Sequence, residues 1–113
     1  MRELDISVLR AYYEDDVVFI TNHAAERCRQ RGIVTRDIRH AVMSGEIIEQ
    51  YPDDYPFPSC LICGKDSTGR TIHVCMGDEG GSGRIITTYL PTEDRWHSDF
   101  KTRRKDCNEM YKL

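Results

Sequence analysis

The spacing of apolar residues changes once along the chain, near Gly45. Ahead of it the period is helical: Leu4, Val8, Ala11 and Tyr12 predict an amphipathic helix over 4–13. The run Val17-Val18-Phe19-Ile20 breaks that rhythm and suits a short edge strand, being β-branched and aromatic. Thr21 or Asn22 can cap a second helix that begins near His23, because either side chain accepts from the free N–H groups of a first turn; Gly32 supplies its stop. Thr35 is expected to cap a third, with Ile38, Ala41 and Val42 as its inward stripe and Gly45 as its end.

Beyond Gly45 the pattern is short and β-rich, over Glu46–Tyr51, Ser59–Gly64, Thr71–Met76 and Ile85–Leu90. Pro52, Pro56 and Pro58 with Asp53 and Asp54 separate the first pair, and glycine-rich runs over 64–69 and 77–83 separate the rest as hairpin loops. Thr92, Glu93 and Asp94 after Pro91 predict a last helical segment, along which Trp96, Phe100, Cys107 and Tyr111 fall near one face. Helices segregated from strands indicate an α+β fold: N-terminal helices packed on a four-stranded antiparallel sheet, with a C-terminal helical segment. One domain over 1–113 is expected.

Composition narrows the class. With 39% hydrophobic and 31% charged residues the chain lies outside the low-hydrophobicity regime of disorder. No apolar run approaches the roughly 20 residues that span a bilayer, and Met1-Arg2-Glu3-Leu4-Asp5 lacks the basic-then-apolar order of a secretory signal, so a soluble cytoplasmic protein is expected. Five cysteines, an odd number, then read as free thiols. The net charge of −3 conceals a segregation: residues 1–22 sum to −3, residues 23–45 to +3, residues 46–58 are purely acidic, and 95–105 are basic again. Two separated basic segments can converge into one anion-binding face.

Three sets of residues carry candidate chemistry. His23, Arg27 and Arg31 lie at i, i+4 and i+8, a cationic helical stripe with Gln30 beside it, suited either to a phosphate or to plain solvent exposure. His23 falls in a first turn, where the helix dipole disfavours imidazolium and leaves a neutral ring able to take a proton. In Thr71–Met76, Ile72, Val74 and Met76 face one side and Thr71, His73 and Cys75 the other. Pairing Val74 with Ile86 would set His73 opposite Thr87 and Thr71 opposite Tyr89; a one-residue slip would turn Thr87 and Tyr89 away. Arg103 and Arg104 follow Trp96 and Phe100, an aromatic anchor for a basic segment or a solvated helix end. Cys60-Leu61-Ile62-Cys63 with His73 and Cys75 makes a zinc set on paper, but strand residues three apart point to opposite faces, so neither metal nor cofactor is expected.

Taken in order, His23-Ala24-x-x-Arg27-x-x-x-Arg31-Gly32-Ile33, Gly45-Glu46-Ile47-Ile48-Glu49-x-Tyr51-Pro52, Ser59-Cys60-Leu61, Ile72-His73-Val74 and Ile85-Ile86-Thr87-Thr88-Tyr89-x-Pro91 with Trp96 resemble the bacterial family called domain of unknown function 4258, over roughly 20–105. That family is similar to RelE/ParE-like toxins of the barnase-like and RelE-like ribonuclease group, some members lying beside a small zinc-finger antitoxin of the YgiT type. The resemblance implies a RelE-like fold and a toxin-like, metal-independent endoribonuclease in which a ribose 2′-OH attacks the adjacent phosphate. It assigns His23 as base, His73 or Tyr89 as acid or substrate orienter, Arg27 and Arg31 as phosphate stabilisers, and Gln30, Thr87, Arg103 and Arg104 as RNA contacts. Cys63 stands where the family pattern calls for a plain aliphatic. The alternatives are a non-catalytic module that binds nucleic acid or protein and, less directly, a zinc-stabilised structural domain.

Overall fold

The computed structural model describes residues 3–104. Three helices, α1 (Ile6–Glu14), α2 (Asn22–Gln30) and α3 (Thr35–Ser44), pack on one face of a five-stranded sheet. The strands are β1 (Val18–Ile20), β2 (Glu46–Tyr51), β3 (Ser59–Lys65), β4 (Thr71–Asp78) and β5 (Gly83–Tyr89), in the order β1-β5-β4-β3-β2. Four of them form the expected antiparallel meander, but β1 adds to β5 in parallel, Val18 beside Gly83 and Ile20 beside Ile85. The sheet is therefore mixed and five-stranded rather than four-stranded and antiparallel. Its fifth strand is three residues long and pairs across more than sixty residues of chain, a contact that local patterning does not encode.

Local chemistry sets most helix ends. Thr21 caps α2, its hydroxyl accepting from the Ala24 N–H at 3.1 Å, and Gly32, at φ +74°, takes the left-handed turn that ends it. Asp5 caps α1 through the Ser7 N–H, so the helix starts at Ile6 and Leu4 packs as an extended residue whose N–H and C=O are both bonded by the Gln50 amide. Thr35 is the first residue of α3 rather than its cap; the Asp37 carboxylate accepts from the Val34 N–H instead. Alternation along the strands then sorts the sheet. Cys60, Ile62, Ile72, Val74, Met76 and Ile85 meet Leu9, Cys28, Ile38, Ala41 and Val42 in the core, and residues of opposite parity face away from the helices.

The C-terminal helix does not form over the described residues. Residues 92–104 turn back across the helix-free face, closed by a bridge between Trp96 and Arg103. The Asp99 carboxylate accepts from the N–H groups of Lys101 and Thr102 and from the Thr102 hydroxyl, a local alternative to helical bonding, and Phe100 sits at φ +57°, which no right-handed helix contains. Cys107 and Tyr111, assigned to the same helical face, lie outside the described residues. No helix among the described residues is long and apolar enough to cross a membrane.

The layers pack closely at Gly64, where a Cβ would stand 2.2 Å from the carbonyl oxygen of Ala41 in α3. Gly64→Ala is expected to cost about 1–3 kcal/mol, the usual range for forcing a methyl into a packed core. A lower urea midpoint with an unchanged slope would show it.

Candidate functional site

On the helix-free face the three central strands place Cys63, His73 and Tyr89 side by side, and next to them Leu61, Cys75 and Thr87. The register differs from the expected one by two residues: Val74 pairs with Thr88, not Ile86. An even shift keeps face parity, so His73 and Tyr89 still share a face, now directly opposed. A β-bulge between Cys75 and Met76, which leaves Ile86 as the extra residue on β5, accounts for one residue of that difference. It gathers Ile86 and Thr87 toward one side.

His73 is fully buried, its ring edge-on to Trp96 at 4.5 Å between centroids and to Tyr89 at 5.3 Å. Its Nε2 lies 2.7 Å from the carbonyl oxygen of Phe100. A carbonyl only accepts, so Nε2 carries the proton and the neutral ring presents Nδ1 as an acceptor. Tyr89 Oη, 3.2 Å away, donates to it. The left-handed backbone at Phe100 is what aims that carbonyl at the imidazole. Burial lowers the His73 pKa, outweighing the opposing pull of the Phe100 carbonyl and Glu49. Burial also raises the pKa of Tyr89.

A charged group borders this pair. Arg103 lies over the Trp96 ring, 4.6 Å from its centroid, and forks onto Glu49 through Nε at 2.7 Å and Nη2 at 3.2 Å. Tyr51 donates to the same carboxylate. Burial alone would raise the Glu49 pKa, yet the bonds from Arg103 and Tyr51 more than reverse it and hold the group ionised. The guanidinium stays half-exposed, and Nη1 is not part of the fork.

The cationic stripe of α2 meets this site only at its C-terminal end. Arg31 Nη1 donates to the Thr88 carbonyl at 2.7 Å and to Thr87 Oγ1 at 3.3 Å, covering the part of the β5 edge that β1 leaves unpaired. His23 lies two turns earlier, about 12 Å along the helix axis from Arg31. His23, Arg27 and Gln30 are exposed, and no side-chain hydrogen bond or ion pair joins them to another described residue. Arg104 Nε bonds the Trp96 carbonyl at 3.0 Å and the Glu93 carbonyl, which pins the 92–104 turn. Of the residues singled out from the sequence, the structure brings His73, Tyr89, Thr87, Arg31 and Arg103 to this region, and it adds Glu49 and Tyr51, which were not singled out. Their signal was available: two polar residues at alternate positions of β2, opposite Leu61 and Ser59. As for the zinc set, Cys60 faces the helical core while Cys63 and Cys75 face the other way.

These features define a class: an α+β domain in which helices cover one sheet face and the other carries a polar site under a C-terminal turn. The chain belongs to the family described as Domain of unknown function (DUF4258), which matches residues 20–90. No curated protein and no solved structure matches it.

Trp96 is the single tryptophan of the chain, so its emission reports on the ring it abuts. Protonated imidazole quenches indole, and the midpoint should fall below the ordinary histidine value of about 6.5. His73→Gln should abolish this titration and His97→Asn should keep it. Because the folded pKa is depressed, the unfolded chain binds the extra proton; stability is whole above the unfolded value and declines as pH falls through the folded one. Urea midpoints at pH 7.5 and 5 would show that decline.

Proposed function

We propose that this protein is a toxin-like, metal-independent endoribonuclease with a RelE-like fold, and that its reacting face is the helix-free side of the sheet. The observation that carries the reading is the tautomer of His73. A buried neutral imidazole with a free lone pair on Nδ1 is a proton acceptor, and the residue that fills that lone pair, Tyr89, is only partly buried.

The pair works as a relay. The phenol oxygen of Tyr89 takes the proton of a ribose 2′-OH while its own proton passes to His73 Nδ1; the new imidazolium keeps Nε2–H on the Phe100 carbonyl. The 2′-oxygen then attacks the adjacent phosphorus, and the 5′-oxygen departs with a proton from solvent, leaving a 2′,3′-cyclic phosphate and a 5′-hydroxyl. Arg103, braced by Glu49 and Trp96, supplies charge as the phosphorane forms, and Arg31 adds a second guanidinium beside Thr87. Tyr89 is thereby the catalytic residue and His73 acts through it. Their roles replace that of His23 as base, while Arg27 and Gln30 are left as candidate contacts for RNA outside the reacting centre.

Cleavage of a fluorogenic oligoribonucleotide by the full chain, with chelator present, tests this. Tyr89→Phe should lower kcat by about 10²- to 10⁴-fold, the usual worth of a proton handler. Arg103→Gln should cost about 10²- to 10³-fold, and His23→Ala less than either. The kcat/KM profile should rise with pH to a plateau, with its midpoint below the ordinary histidine value of about 6.5, since the relay needs His73 neutral. RNA retained at low salt but never cut would leave a binding module in place of an enzyme.

A further inference from the structure

The same face carries a second feature that the relay does not use. Beyond Thr87, a groove of about 510 Å³ is walled by Tyr55, Phe57, Ile86, Asp54 and Glu79. That volume falls within the roughly 300–1,000 Å³ span of small-molecule sites. Tyr55 is 92% exposed, Phe57 41% and Ile86 42%, an aromatic and aliphatic cluster held out in water against the hydrophobic effect.

Two details of its construction point to an occupant. The floor is Gly77, in the interior of β4, where a side chain would ordinarily add strand stability. A Cβ there would meet only ordinary contacts, 3.5 Å to the Pro58 carbonyl and 3.6 Å to Ile86 Cδ1, and its backbone is not left-handed, so the fold does not demand glycine. What the missing side chain leaves is a flat floor. The rim, in turn, offers carboxylate oxygens: Asp54 gives one oxygen to Ser59, while both oxygens of Glu79 are bonded by Arg84, which also lines the groove. A carboxylate acceptor beside exposed aromatic faces suits a flat ring with N–H donors at its edge.

We propose that this groove is a nucleobase subsite, with the base stacked on Tyr55 or Phe57 and its amino group donating to Asp54 or Glu79. Adenine, cytosine and guanine present such an amino group; uracil presents one ring N–H between two carbonyls that a carboxylate repels. Ile86 lies three residues before Tyr89 on β5, so base and scissile phosphate would sit roughly 10 Å apart. The inference rests on the ribonuclease reading for its RNA substrate, but binding of a base can be measured without cleavage.

Titration of the full ¹⁵N-labelled chain with AMP, CMP, GMP and UMP tests it. The amide signals of Tyr55, Phe57, Gly77 and Ile86 should shift with the first three, and UMP should bind about tenfold more weakly. Tyr55→Ala, at a surface position, should weaken the response about tenfold, the scale of one lost base stack. Gly77→Ala should do likewise while leaving the urea midpoint in place. Equal response to UMP, or shifts confined to Thr87 and Tyr89, would overturn the subsite, and cleavage of RNA by that same protein would leave the ribonuclease reading standing. Groove shifts without cleavage of any RNA would support the subsite and sink the enzyme. If mononucleotides do nothing and Tyr55→Ala releases a co-purifying protein, the groove is a protein-docking surface and the base assignment is wrong.

Discussion

An imidazole cannot be buried cheaply unless both ring nitrogens find partners, and that requirement at His73 organises the helix-free side of the molecule. One partner, Tyr89, comes from the neighbouring strand by sheet register. The other, the Phe100 carbonyl, has to be brought from a segment eleven residues beyond the end of β5. Residues 92–104 accordingly abandon the helix that their spacing suggests. Trp96 leaves the stripe to pack on the ring, Phe100 accepts a left-handed backbone worth on the order of 1–3 kcal/mol of strain, and Arg104 ties the turn through two carbonyls.

The two faces of the sheet divide the labour. The helical face is apolar and tightly spaced, with Ala41 against Gly64 and Cys28 bonded to Thr88, and it fixes the strands in register. The opposite face inherits that register and uses it to line up side chains from β2, β4 and β5. The family match ends at residue 90, ahead of Trp96, Phe100 and Arg103. The matched region therefore holds the four antiparallel strands and the Tyr89–His73 pair, while the turn that seals and charges them lies past it.

How much of this was legible followed from the range of each signal. Thr21, Gly32, the proline-rich break and the alternation of Thr71–Met76 act within a few residues, and the elements they mark appear close to where they were expected. The β1–β5 pairing, the bulge at Ile86 and the turn at 92–104 depend on contacts across the fold, and each of these was missed or misplaced. At the site, alternation put His73 off the apolar face and parity kept Tyr89 with it, even though the register itself was two residues out. The acidic segment containing Glu49 and the basic segment containing Arg103 were each visible, but nothing local says that they meet. The helical stripe drew attention to His23 because its spacing is the most regular; the tertiary structure engages only its far end, at Arg31.

The charges around His73 explain why that ring, rather than an exposed histidine, suits a relay. Glu49 favours its protonation and Arg103, bound to it by two hydrogen bonds, opposes it. Burial is the largest influence and outweighs the Phe100 carbonyl as well, so the ring is kept neutral at rest. In the proposed relay a proton arriving through Tyr89 would meet an ionised Glu49 able to stabilise the imidazolium, and the Phe100 carbonyl would bond Nε2 more strongly as the ring became cationic. The same arrangement therefore disfavours the charge before the proton moves and shelters it afterwards, without any group having to change position.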